Sequence, residues 1–172
     1  NKQIIKNTGK YETYAAIGRE VEFPFDHSFF GTLNRSSESI NKSKNAIHID
    51  DRKIQNAFFW FMVDSAFDEI AIEELKSKNY EKAINIWKKQ VKNTLSDESI
   101  SAYNNLSTAY LLLGTIPKTN TVMLKEGLML KCKILESNSL EYLSKKICGD
   151  DYLIKKEQFS HEVIQIIQND LK

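Results

Sequence analysis

A chain of 172 residues and 19.9 kDa is long enough for one ordinary domain, or for a core domain with a smaller appendage. Lys and Arg number 24 against 23 Asp and Glu, and the arginines are Arg19, Arg35 and Arg52; so balanced and arginine-poor a chain lacks the basic excess and guanidinium forks of a duplex-binding protein. Six glycines and two prolines fall well under the usual roughly 7% and 5%, so turns are scarce and the expected fold class is all-α, with collagen-like, sandwich and propeller architectures excluded.

Residues 1–50 read as an N-terminal appendage. Tyr11, Tyr14, Val21, Phe23, Phe25, Phe29 and Phe30 alternate with Gly9, Gly18, Pro24 and Gly31, and disordered tails are poor in aromatics. A short helix is expected after the cap-like Ser36, carrying Ile40, Ala46 and Ile47. The pattern leaves open whether Val21 to Phe25 is a strand.

Residues 51–172 read as consecutive helices. Asp50 and Asp51 cap a helix expected to run through Phe59 to about Val63. Ser65 and Asp68 have the spacing of a capping box, and Phe67, Ile70, Ala71 and Leu75 set an apolar stripe up to about Ser77. A tight connection at Lys78 and Asn79 leads to a helix with Tyr80, Ala83, Ile84, Trp87 and Val91 on one face, so the two helices should lie antiparallel. A third pattern, with Tyr103, Leu106, Tyr110 and Leu113, is expected to stop at Gly114, before Pro117. Further helices follow, with Val122, Leu124, Leu128, Ile134 and Leu135, then from Ser139 to Gly149, and last with Phe159, Val163, Ile166 and Ile167.

Ser99 to Pro117 carries no charge, and its length approaches the roughly 20 residues of a membrane span. Ser99, Ser101, Asn104, Asn105, Ser107 and Thr108 argue against that reading, because each would need a partner in hydrocarbon. An amphipathic helix with these residues on a wet or groove-facing side is expected instead, and no membrane association. Ala57 to Val63 holds four consecutive large aromatics, which cannot share one face of a helix; it is either buried all round or a docking surface, with burial the expectation. Cys132 and Cys148 are too few for a disulfide framework and read as small buried hydrophobes. The start at Asn1 suggests a piece of a longer polypeptide, and no charged-then-apolar leader follows it, so a cytoplasmic location is expected. Richness in Ile, Lys and Asn suggests an AT-rich bacterial source.

Residues 64–97 resemble a tetratricopeptide repeat, a unit of about 34 residues built from two helices. Phe67 takes the place of the early aromatic, Ile70 and Ala71 the large-small pair, Tyr80 the aromatic after the turn, Ala83 the small residue at the crossing and Trp87 the late aromatic. A second, partial match begins at Ile100 with Tyr103, Leu106, Ser107, Tyr110 and Gly114. It departs in its second helix, where Thr119 replaces a small alanine and Pro117 delays the start. In the first repeat Glu74, Gln90 and Leu95 replace the usual aromatic, alanine and proline. The resemblance implies a concave groove that binds a peptide or partner helix, and it maps the partner-binding positions onto Asp68, Ile72, Asn104, Asn105 and Thr108. Asn105 matches a carboxylate-clamp asparagine, whereas Asp68 stands where a clamp would want a cation or an amide. The segment Ile49 to Phe61 also resembles degenerate J-domain-like regions that precede helical repeats in some bacterial proteins. His27 is followed by Ser28 and the His-Pro-Asp tripeptide is missing, so stimulation of a heat-shock chaperone is not expected.

The chain shows little chemistry of its own. His27, His48 and His161 lack a metal-spaced neighbour, and phosphate-binding glycine loops, nucleophile elbows and paired cysteines do not occur. The acidic pairs Asp50-Asp51, Glu73-Glu74 and Asp150-Asp151 read as caps or an exposed face. Lysines at 88, 89, 92, 131, 133, 145, 146, 155 and 156 are interspersed with acids and read as solvated outer faces rather than a single-strand nucleic-acid surface. The expectation is a non-catalytic interaction or scaffolding module with a protein or peptide partner, without cofactor, metal or nucleic acid. The alternatives are a subdomain of an enzyme whose catalytic residues lie elsewhere, which two histidines sharing a polar pocket would favour, and a chaperone-linked adaptor.

Overall fold

The computed structural model describes residues 9–14, 16–17, 36–46, 49–91, 95–115, 119–136 and 138–170, and among them it contains helices and no strand. Val21 to Phe25, His27 and His48 lie outside the described residues. The chain divides into Asn1–Arg52 and Lys53–Lys172. In the first unit residues 9–14 are helical, and α1 (Ser37–Ala46) starts where expected. There the Ser36 hydroxyl accepts the Ser39 N–H at 3.1 Å, as an N-cap should.

The second unit begins within α2 (Asp50–Phe58), which stops five residues short of the expected Val63. The aromatic run is the reason. Inside a continuous helix it would turn a large ring to every side; by leaving the helix after Phe58 the chain sends each ring to a different place. Phe58 is buried, edge-on to Phe59 at 5.3 Å and to Phe159 at 5.8 Å. Phe61 stacks on Trp87 at 5.8 Å and 13°, and Trp60 stays 46% exposed. The run is thus neither wholly core nor wholly surface.

Next come α3 (Ala66–Lys76) and α4 (Tyr80–Gln90). The capping box forms in full: the Ser65 hydroxyl accepts the Asp68 N–H at 3.2 Å, and the Asp68 carboxylate accepts the Ser65 N–H at 3.0 Å. The buried stripe of α3 is Asp68, Ala71 and Leu75: Ala71 and Leu75 lie inside as expected, whereas Phe67 and Ile70 are each 51% exposed. Asp68 turns inward to meet its donors, and at 100° per residue this carries its neighbours outward. At the end of α3 the Asn79 N–H reaches the Glu74 carbonyl at 2.8 Å and the Lys78 N–H the Leu75 carbonyl at 3.0 Å, a Schellman closure with Lys78 left-handed at φ 61°. The Lys82 ammonium and the Asn79 amide both bind the Glu74 carboxylate and hold its pKa below the ordinary value. The two helices pack together, with Ala71 and Ala83 fully buried.

α5 (Ile100–Thr115) forms the centre of this unit, with every residue from 100 to 110 buried. It ends at Thr115, one residue past the expected stop at Gly114, and that glycine also provides a close approach: a Cβ there would lie 2.9 Å from Leu124 Cδ2. Gly127 of α6 (Thr121–Glu136) does the same, since a Cβ would lie 2.9 Å from Leu111 Cγ and 3.1 Å from the Ser107 carbonyl oxygen. These two positions let α5 and α6 pack along their lengths. The unit ends with α7 (Ser139–Cys148), closed by Gly149 at φ 106°, and α8 (Lys156–Asp170), which buries Phe159 and Val163. No described helix is long and apolar enough to cross a membrane. Cys132 is exposed rather than buried, because the inward face of α6 is Gly127, Leu130, Lys131, Ile134 and Leu135.

Candidate functional site

The polar residues of α5 were expected on a wet or groove-facing side. They are buried instead: Ser101, Asn104, Asn105, Ser107 and Thr108 all lie inside. Buried polar atoms need partners, and the chain supplies most of these itself, from Asp68, Lys131 and the main chain of residues 57–62.

Asp68 is fully buried and collects donors from several elements. Its Oδ1 accepts the Trp87 ring N–H at 3.0 Å and the Asn105 amide at 2.8 Å. Its Oδ2 accepts the Ser101 hydroxyl at 2.9 Å, together with the Ser65 N–H and hydroxyl and the Asp64 N–H at 3.2 Å. Every partner donates, which suits a carboxylate, a group that only accepts.

Asn105 is also fully buried, and it reads a main chain. Its Nδ2 donates to the Met62 carbonyl at 2.7 Å, and its Oδ1 accepts the Met62 N–H at 2.7 Å. Both main-chain groups of Met62 must point to one side for this, as they do in an extended residue. Asn104, one position earlier, donates from Nδ2 to the carbonyls of Ala57 at 3.0 Å and Trp60 at 2.8 Å. The Ala57 carbonyl, in the last turn of α2, also accepts the Trp60 N–H at 3.3 Å, and Trp60 lies just past the helix end.

Lys131 was expected on the outer face of its helix and is fully buried. Its ammonium donates to the Phe58 carbonyl, to Asn104 Oδ1 at 2.7 Å and to Thr108 Oγ1 at 3.0 Å, and it lies 4.5 Å from the centre of the Phe58 ring. Thr108 in turn donates to the Asn104 carbonyl at 2.8 Å. A cation at the C-terminal end of a helix opposes the negative end of its dipole. Burial still holds the lysine pKa well below its usual 10.5.

Of the positions mapped from the repeat, Asp68 and Asn105 share one buried hydrogen-bonded cluster and Asn104 and Thr108 a second one around Lys131, and Ile72 stands half-buried on α3 without polar side-chain atoms to add. The seat they line holds residues 57–62 of the chain itself. Ser101, Trp87 and Lys131 belong to these clusters and were not singled out from sequence for this role. Lys131 had a signal: it falls at i+4 from Gly127 and i−3 from Ile134, within the buried stripe of α6. Among the described residues no group of His, Cys, Asp and Glu is arranged to hold a metal. What the arrangement can do is bind main-chain N–H and C=O groups with side-chain amides and an ammonium. Comparison with protein-family models, with curated proteins and with solved structures finds no match to the chain.

Proposed function

We propose that this chain is a non-catalytic interaction or scaffolding module that takes a peptide or partner helix on the polar face of α5, in a tetratricopeptide-like helical setting. The observation that carries the reading is the two-point hold of Asn105 on Met62. A side-chain amide that engages one residue's N–H and C=O recognises an extended backbone whatever its side chains are. Support for the helical setting comes from the short turn between α3 and α4 and from Ala71 and Ala83, which are fully buried. The proposal includes a reducing compartment such as a bacterial cytoplasm, in keeping with the free thiols of Cys132 and Cys148. Balanced charge favours a protein partner over a nucleic acid.

Selection of displayed peptides and helices on the immobilised chain tests the reading. A recurrent sequence should emerge that binds in the micromolar range. Its affinity should fall at least tenfold in Asn105→Ala, measured where circular dichroism finds the variant folded. Selection of nothing recurrent, or equal binding to the variant, would remove the groove from consideration.

A further inference from the structure

We propose that Phe61 to Asp64 is an intramolecular stand-in for a peptide ligand, and that its seat accepts in competition an extended peptide of the same chemistry: an aromatic, then aliphatic residues, then an acid. This inference rests on the reading of the α5 face as a peptide site and adds what fills that site and what the ligand must look like.

The segment that leaves α2 is held in two different ways. At the helix end, Asn104 and Lys131 bind the carbonyls of Ala57, Phe58 and Trp60, and Lys131 is sealed under the Phe58 ring. That part closes a helix and belongs to the core. Beyond it the anchorage is lighter: Phe61 stacks on Trp87, Asn105 takes both main-chain groups of Met62, and Asp64 pairs with the part-exposed Lys146 of α7. Val63 between them is 60% exposed. The Asp64 N–H also reaches Asp68 Oδ2 at 3.2 Å, so this second hold is a ring stack, three main-chain hydrogen bonds and a partly solvated ion pair, which a peptide from another molecule can reproduce bond for bond.

The lining of the seat points the same way. A permanently dry seat is most economically apolar, because every buried polar group must be matched. Here Asp68 and Asn105 lie beneath the segment, tied to each other and to Ser101 and Trp87. When the segment lifts away, Asp68 keeps the Trp87, Ser101 and Asn105 donors. Asn105 loses its Met62 partners to water or to an incoming backbone. The seat thus stays organised while empty.

The test uses the full chain and a fluorescent peptide copying residues 59–66 with two lysines added for solubility. Phe61→Ala combined with Asp64→Asn weakens the resident segment and leaves Asn105, Trp87 and Lys146 in place. The peptide is expected to bind this variant at least tenfold more tightly than the unaltered chain, and to lose at least tenfold when Asn105→Ala is added. Equal binding to all forms overturns the inference. If the weakened chain is partly unfolded, its melting midpoint should rise by several degrees with saturating peptide, while that of the unaltered chain stays fixed; absence of that rescue also overturns it. A selected peptide that needs Asn105 but binds the unaltered and weakened chains alike would leave the groove reading standing and sink the stand-in.

Discussion

Asn105 and Met62, forty-three positions apart in the chain, are joined by two hydrogen bonds of 2.7 Å that run in opposite directions. The same amide also donates to Asp68 at 2.8 Å. Truncation to alanine leaves a part-buried N–H and a part-buried C=O without these partners and takes one donor from a buried carboxylate. Asn105→Ala should therefore lower stability by about 3 kcal/mol. Asn105→Asp should cost more, because a second carboxylate then faces Asp68. Urea unfolding followed by tryptophan fluorescence reads both; a loss under about 1 kcal/mol for Asn105→Ala would show that water replaces the amide at no great cost.

Asp68 is surrounded by donors, so an amide in its place must turn an NH₂ toward other N–H or O–H groups. Asp68→Asn is expected to cost about 2–4 kcal/mol although its shape is nearly unchanged. Trp87→Phe removes a single donor and should cost about 1 kcal/mol through that bond, plus the loss of ring area against Phe61. The double variant should be less destabilised than the sum, by about 1 kcal/mol, since the bond is lost only once. Strict additivity in the cycle would mean that the bond contributes nothing.

Those two residues also mark how far the sequence could be read. The order of the helices after residue 50 was legible because caps and apolar periods are local, and Ser36, the Ser65–Asp68 box and the Ala83–Ile84–Trp87 stripe all behave as their spacing predicts; the helical stretch at residues 9–14 carries no such signal and was not expected. What misled was the habit of placing polar residues outside. Asp68, Ser101, Asn104, Asn105, Ser107, Thr108 and Lys131 are buried, and polarity alone cannot distinguish a solvated face from an inner one matched by distant donors. The helix end near Gly114 was legible to within one residue, but the second role of that glycine, admitting Leu124, shows only against the partner helix. Phe59 to Val63 resisted reading because its path is set by Asn104, Asn105 and Lys131, more than forty residues away.

Ser107 is the exception among the buried polar residues of α5. It is fully buried, and its hydroxyl is the one buried side-chain polar atom among the described residues without a hydrogen-bond partner. Ser107→Ala should raise stability by about 1 kcal/mol, from relief of the unpaired hydroxyl and from the better helix propensity of alanine. Thermal melts of the two chains provide the comparison. A drop in midpoint would mean that the hydroxyl holds a water.

Lys78 closes α3 from a left-handed conformation, φ 61°, that favours glycine. Lys78→Gly relieves the side-chain clash and should gain up to about 1 kcal/mol, whereas Lys78→Val should lose at least as much, because a β-branched residue tolerates that region least. Opposite shifts in urea midpoint are the expected signature. Shifts of the same sign would show that the ammonium, and not the backbone, governs the turn.

Lys131 gives the chain a pH dependence whose sign is fixed by its burial. The folded-state pKa lies well below the ordinary lysine value of 10.5, with desolvation as the cause. Between the two values the unfolded chain holds the proton and the folded chain has released it, so stability rises with pH across that interval and levels off above about 10.5. Below the lowered value both states are protonated and the full penalty of burying the ammonium is present. Lys131→Met removes this titration but leaves the Phe58 carbonyl and Asn104 Oδ1 unmatched, so it should cost about 3 kcal/mol near neutral pH. Urea midpoints taken from pH 7 to 10.5 on both chains separate the effects. The unaltered chain should gain stability relative to Lys131→Met as pH rises toward 10, since other groups titrate alike in the two. A difference that is flat with pH would mean that the ammonium is compensated in full by its carbonyl, amide and hydroxyl acceptors and by the Phe58 ring.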